Sequence, residues 1–296
     1  MTELGFTEER LFSLNPALIY VAMPGFGKDG PLSTRVAFGP TVEAMSGLSQ
    51  MFSYDGNEPR NSAMALMDPI AGMNAVAAIC QALNQVKKDG VGTKVECSLH
   101  EAGVSYQGPW LVDAALGNIP RAWGNRHPEL VPHGVFPARA AGGTDQWVAV
   151  ACLDDHQWSR LAEVLDLDKD MTLDERRAHE DAIETALAAY TAQFEKHACV
   201  QRLQDLGVAA GAVNDASDLF ADPQANAREF FVPLERHATP MPGCPMEMSG
   251  VDPSTWTPCP DLGEHNAEVL RDWLGYDEAE IERLKKQAVV HDRPPG

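Results

Sequence analysis

Asp68, followed at once by Pro69, is the residue whose setting most suggests chemistry. It closes the apolar run Ala63-Met64-Ala65-Leu66-Met67 and precedes a helical pattern that continues through Leu83, so the spacing predicts Asp68 as the first residue of a buried helix. Two roles fit that position. As an N-cap its carboxylate would accept orphan amide N–H groups of the first turn, and proline is favoured next because its missing N–H costs nothing there. Alternatively, the same N–H groups and the positive end of the helix dipole would hold the carboxylate ionised even in an apolar pocket, where it could act as a nucleophile. Asp-Pro helix starts suit any globular protein, so the residues alone favour the cap.

The other candidate groups carry weaker signals. Pro24-Gly25-Phe26-Gly27-Lys28-Asp29-Gly30-Pro31 follows an apolar run. A glycine-rich loop after a strand can bring backbone amides close to a phosphate or an oxyanion, but neither G-x-G-x-x-G nor a Walker pattern is present, and a plain loop is the better reading. His127 and His133 share a loop with no cysteine or carboxylate cluster at metal-ligand spacing, which argues against a metal site and for a turn or pocket-lining role. Cys80, Cys97, Cys152, Cys199, Cys244 and Cys259 are scattered without a C-x-x-C pair and read as reduced residues, mostly in the core. No G-x-S-x-G elbow occurs, and no Ser/His/Asp set can be assembled.

The elements that would position Asp68 alternate between strand and helix. Glu8 to Leu14 reads as a helix halted at Asn15-Pro16, Leu18 to Met23 as a buried strand, and Thr41 to Met51 as a helix. Tyr54-Asp55-Gly56-Asn57 reads as a turn. The helix after Asp68 carries Ile70, Met73, Ala77, Cys80 and Leu83 as an apolar stripe and fades at Lys87-Lys88-Asp89-Gly90. Val95 to Leu99 reads as a second strand, and Ser98 with Glu101 as a capping box for a helix toward Leu116 that Pro109 should kink. Alternation at this spacing indicates an α/β fold: a partial open α/β sheet domain, followed by a smaller α+β domain.

The texture changes near Arg121. Gly124 to Pro128 and Pro132 to Pro137 form a turn-rich passage, and Gly142-Gly143-Thr144-Asp145 is a turn before the strand Trp147 to Ala151. Amphipathic helices are expected over Asp154 to Leu165, Glu175 to Tyr190 and Lys196 to Leu206, then a short strand over Ala209 to Val213. The predicted organisation is a large α/β domain over 1–120, a small domain over 121–232, and an extended proline-rich linker over 233–260. Helices over 261–296, Glu264 to Leu274 and Asp277 to Gln287, return to the large domain.

Composition bounds the function. The 296 residues are 44% hydrophobic, enough for substantial cores, and 23 Lys plus Arg against 43 Asp plus Glu give a net charge of −20. That charge opposes nonspecific binding to nucleic acid or to an anionic membrane. A polyanionic ligand would need a local basic patch, for which Lys87 with Lys88, Arg121 with Arg126 and Lys285 with Lys286 are the candidates, each more commonly a solvated face. No run reaches the roughly 18 apolar residues of a membrane span, and no secretory leader is recognisable, so the cytoplasm is expected.

Several passages in order resemble the family III CoA-transferases, the group that includes formyl-CoA transferase and carnitine CoA-transferase. They are Asn15-Pro16-Ala17-Leu18-Ile19-Tyr20, the Gly25-Phe26-Gly27 to Gly30-Pro31 loop, Ala44-Met45-Ser46-Gly47-Leu48, Asp68-Pro69-Ile70-Ala71-Gly72, Gly90 to Glu96, Gly124-Asn125-Arg126-His127-Pro128 and Leu262-Gly263-Glu264-His265. The resemblance covers nearly the whole chain and reverses the reading of Asp68, which stands where the family has its nucleophile. It implies transfer of CoA from an acyl-CoA thioester to a carboxylic acid through a covalent aspartyl intermediate. It also implies no permanently bound cofactor, and a homodimer or a companion subunit. Gly25, Phe26, Gly27, Phe38, Gly47 and His127 are the expected lining of the substrate and CoA pocket.

Two departures qualify these expectations. Family members carry a further N-terminal segment that supplies part of the nucleotide-binding fold, and this chain is expected to begin after it, as a fragment, a truncated product or one subunit of a split enzyme. Related α-methylacyl-CoA racemases pair the aspartate with an upstream histidine, where this chain has Phe38, so racemisation is disfavoured. The glycine-rich loop that formyl-CoA transferase places over its active site is not recognisable here, so formate or oxalate is not implied. A non-catalytic subunit or relative that keeps the fold is the alternative.

Overall fold

The computed structural model describes residues 2–54, 58–118, 122–142, 144–236, 238–252 and 255–292. Asp55, Gly56 and Asn57 of the expected turn, Gly143, and Arg121 of the expected basic pair lie outside them. Residues 1–213 form one compact unit and residues 214–296 another. The architecture is mixed α/β.

In the first unit, α1 (Glu8–Leu14) is capped by Thr7, whose hydroxyl accepts the Arg10 N–H at 3.3 Å, and ends before Pro16 as expected. β1 (Ile19–Ala22) runs parallel to β2 (Thr93–Glu96), Ile19 opposite Thr93. A parallel pair requires a crossover, which here holds α2 (Gly39–Met45), α3 (Leu48–Met51) and α4 (Met67–Asp89). α4 packs on both strands. Its last turn carries Lys87 and Lys88, which suit the negative end of the dipole, and Gly90 ends it at φ 74°.

Several local expectations change, the strand expected over Val95 to Leu99 among them, which ends at Glu96 because Ser98 caps the next helix. The helix expected over Thr41 to Met51 is two, because Gly47 at φ 90° cannot continue a right-handed helix. The helix expected to kink at Pro109 is also two, α5 (Leu99–Tyr106) and α6 (Gly108–Ala115), with proline in a new first turn where it is tolerated. Of the capping box, one half is described: the Ser98 hydroxyl accepts the Glu101 N–H at 3.3 Å. On α4, Met73, Ala77, Cys80 and Leu83 are exposed, and the buried face is Met67, Ile70, Ala71, Ala75 and Ala82. The alanines let neighbouring helices approach, and Met67, Ile70 and Ala71 join Val42, Leu48, Leu99 and Ala102 in one core.

A three-stranded antiparallel sheet follows in the order β3 (His133–Ala141), β4 (Thr144–Ala151), β5 (Ala209–Ala212). β3 was expected as turn-rich chain because Gly134 and Pro137 interrupt its pattern. It is an edge strand, where proline is tolerated, and Gly134, Phe136 and Ala138 still alternate inward. Between β4 and β5 come α7 (Asp155–Leu165), α8 (Leu173–Ala178), α9 (Glu180–Thr191) and α10 (Lys196–Asp205), so the helix expected over Glu175 to Tyr190 is divided. α9 and α10 cover one sheet face. Phe136, Val148, Val150, Leu161, Leu187 and Leu203 meet there, each such fully buried side chain contributing about 1.5–3 kcal/mol of transfer free energy.

The second unit contains α11 (Ala216–Ala221), α12 (Pro223–Ala227), the two-residue pair β6 (Phe231–Val232) with β7 (Met241–Pro242), α13 (Asn266–Glu268) continuing as a wider π-type turn over Val269–Trp273, and α14 (Glu278–Lys286). β7 thus lies inside the stretch expected as linker. Glu264 receives Arg236 at 2.8 Å, and that guanidinium lowers its carboxyl to about 2. No described helix is long and apolar enough to cross a membrane.

Candidate active site

Asp68 is the second residue of α4, not its cap. Leu66 holds the N-cap position without a side-chain hydrogen bond, and Asp68 N–H donates to the Ala65 carbonyl at 3.1 Å. The helix starts early because Ala65 stands in the left-handed region at φ 48°, which turns the chain into the first helical residue. Pro69 remains in the first turn, where no N–H is needed. The Asp68 side chain is exposed, and among the described residues it has no hydrogen-bond or ion-pair partner. Its lone pairs are free for an incoming electrophile.

The carboxylate lies beside α2. A Cβ built on Gly39, the first residue of α2, would lie 2.2 Å from Asp68 Oδ2, 2.6 Å from the Ala65 Cβ and 3.0 Å from the Ala65 Cα, and it is the Ala65 backbone that a side chain here could not easily displace. Phe38 immediately precedes Gly39 as the α2 N-cap and is 71% exposed. Ala37, one residue earlier, sits so close to Gly25 that a Cβ there would meet the Ala37 methyl at 2.3 Å. Phe38 therefore lies in sequence between two close approaches, Ala37 to Gly25 and Gly39 to Ala65 and Asp68.

The loop before α4 has its own anchor. Ala63 at φ 61° and Ala65 at φ 48° are both left-handed, a conformation that costs an L-residue about 1–2 kcal/mol. Ser62, at the start of this strained passage, donates its N–H to Glu43 Oε1 at 2.6 Å and its hydroxyl to Glu43 Oε2 at 2.7 Å. Glu43 lies on α2 one turn beyond Gly39 and is fully buried. Sequence reasoning missed Glu43, Ser62 and Gly39. The Gly39/Glu43 spacing of four was the available signal, but one sequence does not say what that helix face meets.

The remaining candidates occupy other surroundings. The Gly25–Gly27 loop turns its carbonyls toward α5: the Pro24 and Gly25 carbonyls accept the Leu99 and His100 N–H groups at 3.1 and 3.0 Å. Beyond it, the Lys28 N–H donates to Glu96 Oε1 at 2.7 Å. Phe26 leans on His100, ring centroids 5.9 Å apart. Gly47 makes the bend between α2 and α3, and a Cβ there would strike the Gln107 amide, which itself donates to the Ser46 carbonyl.

His127 accepts the Glu129 N–H on Nδ1 at 3.1 Å and lies 5.3 Å from the His133 ring. Its neighbour Arg126 is gripped by Glu184 and Asp181, with Glu180 at 3.6 Å, contacts that raise the guanidinium above its ordinary value. That cation is committed to α9. A cleft of about 420 Å³ is lined by Gly124, Asn125, His133 and Gly134 together with residues of β4 and β5. Among the described residues no group of three or more His, Cys, Asp or Glu could hold a metal ion.

Comparison with known proteins places this geometry in context. The description "CoA-transferase family III" matches residues 1–266. The chain is 29% identical over 298 residues to the succinate–glutarate CoA-transferase of Agrobacterium fabrum, covering 97% of this chain and 71% of that protein. It is 29% identical over 282 residues to the acetyl-CoA:oxalate CoA-transferase of Acetobacter aceti, covering 92% and 71%. A solved CAIB/BAIF family protein from Brucella suis superposes with a TM-score of 0.82 at 27% identity, over 92% of this chain and 72% of that one.

Proposed function

The chain belongs to CoA-transferase family III, and from that premise we propose that it moves CoA between acyl-CoA and carboxylate partners with Asp68 as nucleophile. The observation that carries the reading is the Asp68 carboxylate, exposed, unpartnered among the described residues and set beside Gly39 in the first turn of a helix. An Asp68 oxygen attacks the thioester carbonyl, the C–S bond breaks, and an acyl-aspartyl anhydride and CoA thiolate form. The thiolate then attacks the aspartyl carbonyl, releasing the donor acid and leaving an aspartyl-CoA thioester. The acceptor carboxylate repeats the sequence in reverse, and Asp68 is regenerated. Each step is an acyl substitution, which splits one difficult transfer into easier ones.

Phe38 argues against a racemase in the same fold. It directly precedes the glycine that abuts Asp68, and a phenyl ring neither gives nor takes a proton. CoA thioester is a substrate in this reading rather than a resident cofactor. The active assembly is a homodimer or a pair with a companion subunit. The six described cysteines are free thiols, which suits the reducing cytoplasm.

Asp68→Ala and Asp68→Asn test the assignment. Succinyl-CoA and acetyl-CoA serve as donors, with glutarate and oxalate among the acceptors, since these occur in the relatives' names. Both variants should lose at least about 10³-fold in kcat while keeping the wild-type circular dichroism and melting temperature. Transfer at the wild-type rate in either variant would exclude Asp68 as the nucleophile.

A further inference from the structure

We infer that Glu43 is a positioning residue for Asp68, acting through Ser62; the inference rests on the reading of Asp68 given above. Glu43 is fully buried, a costly place for a carboxyl group unless its oxygens are satisfied, and both of them are spent on Ser62. Ser62 in turn accepts the Met64 N–H on its hydroxyl at 3.3 Å. The next residues, Ala63 and Ala65, hold left-handed conformations that an alanine leaves readily when nothing fixes its neighbours.

The clamp and the nucleophile share one support. Gly39 and Glu43 are four residues apart, on the same face of α2 and about 6 Å along its axis. At one end of that face Gly39 abuts Asp68 Oδ2; at the other Glu43 grips Ser62, six residues before Asp68. The Ser62–Asp68 segment is thereby held to α2 at Ser62 by hydrogen bonds and near Asp68 by packing, where Ala65 faces Gly39 and Met67 shares a core with Val42. Releasing the Glu43 end would let Ala63 and Ala65 relax and move the carboxylate off its line of attack. A misplacement of about 1 Å is enough to cost about 10²-fold in rate.

Glu43→Gln places an amide donor against one of the two Ser62 donors, and Ser62→Ala removes the hydroxyl donor while keeping the N–H. Measured in the full chain, each should lower kcat about 10–100-fold and leave KM for acyl-CoA within about twofold, because the missing term is alignment and not substrate binding. The double variant should be no slower than the slower single, since both break one clamp. Ser62→Thr keeps both donors and should restore kcat.

Hydrogen exchange at the Ser62 and Met64 amides should speed up in Glu43→Gln, a readout independent of turnover. If Glu43→Gln fails to fold, Ser62→Ala and Ser62→Thr carry the test. An active wild type with kcat unchanged in both single variants, or with effects that multiply in the double, overturns the positioning role alone. A wild type that transfers no CoA overturns the reading of Asp68, and the positioning role with it.

Discussion

A methyl group on Gly39 would have to displace both the Asp68 carboxylate and Ala65, its carbon lying 2.2 Å from Oδ2 and 2.6 Å from the Ala65 Cβ. Gly39→Ala is therefore expected to cost about 1–3 kcal/mol of stability, as overpacking does, and about 10²-fold in kcat. Denaturant unfolding and steady-state kinetics on one preparation check both, and an unchanged kcat would contradict the placement of Asp68.

The cysteines give a second test at this scale. Cys80, Cys244 and Cys259 are exposed, whereas burial raises the thiol pKa of Cys97 and Cys199, and that of Cys152 to about 11. A raised thiol pKa means less thiolate at pH 8, so an aromatic disulfide reagent should titrate the three exposed thiols quickly, half-buried Cys97 more slowly, and Cys152 and Cys199 only after unfolding. Fast reaction of Cys152 would contradict its burial. Asp68 itself was legible in the sequence, through Asp-Pro and its ordered neighbours. Its register was not, since an alanine at position 65 gives no sign of a left-handed backbone.

Among the elements, the segment before α4 carries two left-handed alanines within three residues. Glycine accepts positive φ without the Cβ penalty but loses more conformational entropy on folding, so Ala63→Gly should gain about 0.5–1 kcal/mol. Chemical denaturation checks this, and a loss of stability would show that Ala63 is not left-handed in solution. Elements whose signals lie within their own sequence were readable. α1 stops at Asn15-Pro16, α4 ends at Gly90 and α10 is followed by Gly207 at φ 76°, each where local chemistry requires it. Elements that depend on distant partners were not. β3 contains Gly134 and Pro137 and becomes a strand because β4 lies beside it, with Arg139 N–H donating to the Phe194 carbonyl at 2.8 Å as well. The α4 stripe failed because apolar spacing marks a face without saying which face finds a neighbour. Met73 and Leu83 stay exposed while small alanines are covered.

For the whole molecule, the mixed α/β architecture and the family followed from alternation and from ordered motifs spread along the chain, whereas no motif reported which residues support the nucleophile. Net charge of −20 bears on partners and leaves the chemistry of Asp68 open. The central claim is covalent catalysis by one carboxylate, and it is tested most directly by intact mass spectrometry of the purified chain after incubation with acyl-CoA thioesters, followed by peptide mapping. A CoA-sized adduct is expected on the peptide containing Asp68, removed by hydroxylamine and absent from Asp68→Ala. An adduct that persists in Asp68→Ala or maps to another residue, or CoA transfer by the wild type with no adduct under single-turnover trapping, would contradict it.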